Sequence, residues 1–163
     1  MGAVEPTGTI IAGAEGPELL ISRDFTENIK EVWAHVVESD RLAQWYGTWA
    51  GDPITGKVWL TMIEDPDSPR ECHIHQCEAP HLLAVSISDS EGEWQIELNL
   101  SVEKEGTRLT FRQPLRGFEM AATEVGPGWE YYLDRLRASL AGGNVEEIDF
   151  SSYYPHQIEH YRA

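Results

Sequence analysis

The chain has 163 residues, 41% of them hydrophobic, enough for one compact domain with a buried core. Its 12 Lys and Arg stand against 28 Asp and Glu, a formal charge of −16, so no nucleic acid and no anionic membrane surface is expected as a partner, since both need clustered basic side chains. No apolar run reaches the length of a membrane span, the N-terminus lacks the basic start and long apolar stretch of a secretory leader, and two cysteines make no disulfide framework, so a cytoplasmic protein with an acidic, solvated surface is expected.

Residues 1–17 are rich in Gly, Ala and Pro around one apolar pair, Ile10-Ile11, and read as an arm or short edge strand. "ELLISRDF" (18–25) follows as a strand candidate. Thr26 is placed to cap a helix whose Ile29, Val32, Trp33, Val36 and Val37 recur at helical spacing. Ser39 is placed to cap a second short helix, "DRLAQWY", presenting Leu42, Trp45 and Tyr46.

From Gly56 the period changes to 2. Strands are expected at 56–64, 70–79, 81–89, 94–103 and 108–115, separated by "DPDSP", Pro80, "SEGE" and "KEGT". In "WQIELNLSVE", Trp94, Ile96, Leu98, Leu100 and Val102 alternate with polar residues, as in an antiparallel strand with one wet face. A long final helix is expected over about 127–141, with Pro127 in its first turn, an apolar stripe of Trp129, Tyr132, Leu133, Leu136 and Leu140, and Gly142-Gly143 as its stop. Residues 18–143 then form the domain and 144–163 a tail with aromatic residues but little periodicity. Helices at both ends of one antiparallel meander imply an α+β domain with the last helix across the concave face of a curved sheet, and a pocket between them.

"ISRDFTENIKEVWAHVVESDRLAQWYG", "CEAPHLLAVS" and "GPGWEYYLDRL" together resemble SRPBCC proteins of the activator-of-heat-shock-protein-90-ATPase homologue type over residues about 19–141. The shared pattern is an Arg-rich first strand, a helix carrying "VW", a short helix ending in "QW" and an aromatic, a Pro-containing turn between middle strands, and a Gly-Trp signature on the last helix. The resemblance implies the helix-grip, START-like fold, shared with the birch-pollen-allergen group and typically enclosing a hydrophobic cavity. The cochaperone that names the family has a separate N-terminal domain, which this chain is expected to lack, so chaperone activation is not carried over. Catalytic relatives such as aromatic polyketide cyclases place a few polar groups in the cavity, but share no catalytic motif that maps onto these positions.

"CHIHQC" (72–77) concentrates both cysteines and two histidines. On a regular strand His73, His75 and Cys77 share one face and Cys72, Ile74 and Gln76 the other. His73 and Cys77 are then too far apart to bind one metal easily, and the cysteines lie on opposite faces, which argues against a disulfide, so the stretch reads as a pleated strand with no metal site. "HQIEH" (156–160) matches H-x-x-E-H, but Pro155 precedes it and no acid follows to complete a zinc site. There is no G-x-S-x-G elbow, and "GPG" (126–128) is no phosphate loop.

The six tryptophans are more informative. Trp33 packs in the core, whereas Trp45, Trp49, Trp94 and Trp129, with Tyr132, are candidates to line the cavity and bind a ligand, each indole keeping an N–H to offer. Gln113 and His75 are candidate polar contacts, although a one-residue slip reverses their facing. Arg23 and Glu119 read as surface salt-bridging residues. The expected function is therefore binding of a small apolar or aromatic molecule, without metal or other cofactor. The alternatives are a cavity enzyme of the cyclase or hydrolase sort using His75 or a carboxylate as acid/base, and an interaction or cochaperone-like module using the acidic surface and Phe150, Tyr153, Tyr154 and Tyr161. Exposed aromatics in the tail would also allow a homodimer.

Overall fold

A computed structural model describes residues 4–14, 16–89, 92–115 and 122–161. Eight strands form one antiparallel sheet: β1 (Thr9–Gly13), β2 (Gly16–Phe25), β3 (Gly47–Ala50), β4 (Lys57–Met62), β5 (Arg70–Glu78), β6 (Leu82–Asp89), β7 (Gly92–Glu103) and β8 (Gly106–Pro114). Helices α1 (Ile29–Val37) and α2 (Ser39–Leu42) follow β2, and the long helix α3 (Ala122–Leu140) and short α4 (Ile158–Tyr161) follow β8.

The spatial order β1-β2-β8-β7-β6-β5-β4-β3 follows from one excursion of the chain. After β2 the chain leaves through α1 and α2, re-enters at the far edge as β3, and meanders back until β8 pairs with β2, from Glu18↔Pro114 to Phe25↔Thr107. The β7–β8 turn must therefore pass close to the end of β2. At Gly106, whose φ is +148°, a Cβ would lie 1.9 Å from the Phe25 carbonyl oxygen, so only glycine fits.

Period-2 alternation sends Leu19, Ile21, Phe25, Ile96, Leu98, Leu100, Leu109 and Phe111 to the concave face, where all are buried. The curved sheet wraps α3, whose Trp129, Tyr132, Leu133 and Leu136 complete the core. This is the helix-grip arrangement, with two short helices after the first long strand.

Local details differ from the expectations in instructive ways. Asn28, not Thr26, caps α1, its side chain accepting from the Glu31 N–H at 3.0 Å. Ser39 does not cap α2; its hydroxyl clamps β3 instead, donating to the Trp49 carbonyl at 3.1 Å and accepting from the Trp49 N–H at 3.0 Å. β3 itself was not foreseen, because four residues with a glycine carry too little pattern; it exists through pairing with β4. Helix α3 begins at Ala122, before Pro127, which lies inside it. Lying one residue past the first turn and a half, the proline forgoes the one helical bond to the Thr123 carbonyl.

The tail docks back onto the domain. Tyr153, Gln157 and Tyr161 are buried. Gly8 and Gly126 make room for the Tyr161 ring: a Cβ on Gly126 would lie 2.5 Å from it, and one on Gly8 2.3 Å from its hydroxyl. The Tyr161 hydroxyl donates to Glu130. Glu130 also accepts from the Thr7 N–H at 2.7 Å and pairs with Arg23 at 2.9 Å, while Arg23 reaches Asp134 at 3.0 Å. Arg23 is thus a buried ion-pair partner rather than a surface one. Glu119 lies outside the described residues.

Candidate functional site: a two-compartment cavity under the long helix

The character of the cavity is decided in β5. Cys72 pairs with Ile87, His73 with Ser86 and Ile74 with Val85, but Gln76 rather than His75 pairs with Ala84. The register shift between Ile74 and Gln76 is a β-bulge, which adds one residue and breaks the alternation. As a result Cys77 joins Cys72 and Ile74 in lining the cavity, while His75 stays on the outer face of the sheet and bonds the Ser86 hydroxyl at 2.6 Å. The regular-strand expectation is therefore corrected: His73, His75 and Cys77 do not share a face, and the two cysteines do not oppose each other. Among the described residues no three His, Cys, Asp or Glu side chains are placed to hold a metal ion together.

The inner compartment, about 290 Å³, lies between the sheet, α1, α2 and α3. Its walls are aliphatic and aromatic, with Trp45 and Trp49 on the helical side, Ile74, Val85 and Leu98 on the sheet, and Trp129 as a roof. Carboxylates, lysines, arginines and histidines are absent from this lining. Burial pushes the Cys72 thiol up to about 11, so it stays protonated at neutral pH. The indole N–H groups of Trp45 and Trp49 are already used: they donate to the carbonyls of His35 at 2.9 Å and Val37 at 2.8 Å, satisfying the last turn of α1. These two rings present apolar faces to the cavity, contrary to the expectation of a spare donor.

The outer compartment, about 650 Å³, shares Tyr46, Ile87 and Trp129 with the inner one. The Tyr46 ring stacks on Trp129 at 5.6 Å and meets Tyr132 edge-on at 4.9 Å. Trp94, Tyr131, Tyr132, Phe150 and Tyr154 continue the aromatic wall. Polar groups enter only here. Tyr132 donates to Glu64 at 2.8 Å, and burial together with that carboxylate raises its pKa. Glu124 and Arg70 complete the rim, with Arg70 donating to Asp65 at 3.3 Å and contacting the Met62 sulfur at 2.9 Å.

Of the candidate residues, Trp45 and Trp49 thus line the inner compartment, Trp94 and Tyr132 the outer, and Trp129 both. Gln113 is completely buried on the concave face of β8 but lines neither compartment. His75 lies outside, so it is not in position to act as an acid or base on a molecule in the cavity. The tail tyrosines Tyr153 and Tyr161 are spent on internal packing rather than on an outward surface. In "HQIEH", His156 precedes α4 and His160 bonds the Gly8 carbonyl at 2.6 Å, so the two do not share a helical turn. Sequence reasoning missed Tyr46, Glu64, Glu124, Phe150 and Tyr154 as lining residues. Tyr46 could have been found from "QWY" beside Trp45; Phe150 and Tyr154 arrive only because the tail folds back.

Residues 27–141 match the family model described as "Activator of Hsp90 ATPase homolog 1-like protein". Solved structures agree in fold. CalU16 from Micromonospora echinospora is 23% identical in its crystal structure, with 96% of this chain and 94% of that chain covered at a TM-score of 0.68. A conserved protein of unknown function from Enterococcus faecalis is 20% identical, with 94% and 87% covered and a TM-score of 0.73. An AHSA1-like protein from Aeromonas hydrophila is 15% identical, with 78% and 94% covered and a TM-score of 0.64. No curated protein sequence matches the chain. With most of its length matched and with the strand order, long helix and cavity all in place, the chain belongs to the Activator of Hsp90 ATPase homolog 1-like family of the SRPBCC superfamily.

Proposed function

We propose that this protein binds a small apolar or aromatic molecule in the cavity under α3, with Trp45, Trp49, Trp94, Trp129 and Tyr132 as its contacts. The observation that carries this reading is the inner compartment, about 290 Å³ of apolar space between the sheet and the helices, open to solvent beside Cys77 and with no charged side chain in its wall among the described residues. An apolar guest in this space would cover hydrophobic wall that otherwise faces water. Rigid aromatic walls suit flat or ring-containing guests, because they offer large contact area with few rotamers to freeze.

The test uses reporters the cavity already contains. At pH about 8, iodoacetamide should alkylate the exposed Cys77 and spare the buried Cys72, whose thiol sits at about 11. Addition of naphthalene should shift tryptophan fluorescence and slow Cys77 alkylation, and Val85→Phe, which fills the compartment, should weaken both effects about tenfold or more. If naphthalene and simple alkanes leave both the fluorescence and the Cys77 rate unchanged up to their solubility limits, the cavity is not a binding site for such molecules.

A further inference from the structure

The two compartments differ in chemistry and adjoin one another, sharing three wall residues, Tyr46, Ile87 and Trp129. The inner end accepts only apolar matter. The outer end combines aromatic faces with acidic groups. Glu64 and Glu124 are exposed at its rim, and neither is in an ion pair with a described residue. Among the described residues the one cation of the lining, Arg70, is already matched by Asp65 at 3.3 Å. The rim therefore carries more negative than positive charge, within a protein whose formal charge is −16.

The aromatic part of this rim is assembled from two separate chain segments. Tyr131 comes from α3, and the Arg135 guanidinium already lies over its ring at 5.4 Å. Phe150 and Tyr154 come from the tail, lie parallel at 5.7 Å, and approach Tyr131 edge-on through Phe150 at 5.5 Å. The tail is held there by Tyr153, whose hydroxyl donates to Asp134 at 2.7 Å, and by Tyr161 on Glu130. Aromatic faces beside unpaired carboxylates attract a positive nitrogen by cation–π and Coulomb terms together, and repel a ligand carboxylate.

We propose that the ligand is an amphipathic amine, with an apolar or aromatic body in the inner compartment and a protonated nitrogen in the outer one between Glu64, Glu124 and the Phe150 and Tyr154 rings. This assignment rests on the cavity-binding reading above and adds a charge requirement to it. No bond is made or broken; the discrimination is one of charge at constant shape.

The full chain can be titrated with three probes of one body and three heads, 2-(1-naphthyl)ethylamine, 2-(1-naphthyl)ethanol and 1-naphthylacetate, following tryptophan fluorescence or heat. The amine should bind about tenfold tighter than the alcohol, and the carboxylate weakest. Added salt should narrow that order, since the glutamates are exposed. In the Glu64→Gln/Glu124→Gln double variant, whose changes lie at the surface, the amine should fall to the alcohol's affinity while the alcohol is unmoved. Equal binding of amine and alcohol by the unaltered protein, or tightest binding of the carboxylate through Arg70, would overturn the cation assignment and leave the cavity reading standing. Binding of none of the three would remove both.

Discussion

Gln113 is completely buried, and neither its amide nitrogen nor its amide oxygen has a hydrogen-bond partner among the described residues. A buried, unbonded amide costs about 1–3 kcal/mol in desolvation, so this side chain works against the fold it sits in. Gln113→Met keeps the length and removes the polar atoms, and is expected to raise stability by about 1 kcal/mol, read as a higher denaturant midpoint at unchanged slope. A lower midpoint would mean that the amide is satisfied in solution. Gln113 also shows how far a residue can be read from sequence. Its facing was open to a one-residue slip; the structure puts it on the concave face with Leu109 and Phe111, yet outside the cavity lining. Cys77 marks the opposite limit, because a bulge one residue wide turned it from the face of His73 and His75 to the cavity side.

At the level of elements, α3 is buried on more of its circumference than its apolar stripe predicts. Glu130 and Tyr131 lie off the stripe formed by Trp129, Tyr132, Leu133 and Leu136, yet both are buried because the arm and the tail close over that flank. Burial disfavours ionised Glu130, but hydrogen bonds from Thr7, Tyr161 and Arg23 outweigh it and hold the carboxyl below its ordinary value. A depressed carboxyl stabilises the fold fully above the ordinary carboxylate range, and that contribution is lost as pH falls through the depressed value. The clasp of arm and tail is therefore expected to loosen in acid. Glu130→Gln leaves the buried Arg23 short of a partner and should cost about 3 kcal/mol, with the tail cleaved faster by protease at neutral pH. Tail cleavage at the original rate in that variant would show that Glu130 does not hold the clasp. Because Phe150 and Tyr154 line the outer compartment, the same variant should also change the fluorescence response to aromatic amines.

For the whole molecule the dominant property is charge. A formal −16 on 163 residues makes the compact state repel itself, and most of the ion pairs between strands are exposed and weak. Raising salt from about 10 mM to about 0.3 M should therefore raise the thermal midpoint by a few degrees, because screening relieves more repulsion than attraction. A midpoint that falls with salt would mean that the surface pairs, such as Arg108–Asp24, contribute more than the net charge removes. Composition, charge and hydrophobic period determined by themselves that the chain is an acidic α+β domain with a long final helix over an antiparallel meander, because each is a local property of the residues. Motif order extended this to the family and to a cavity walled by tryptophans. The tertiary structure alone decided which groups meet in that cavity. A bulge reset the facing of β5, α1 took up the Trp45 and Trp49 donors, and an unpatterned tail supplied Phe150 and Tyr154. Each of these depends on contacts between residues distant along the chain, and no local period records them.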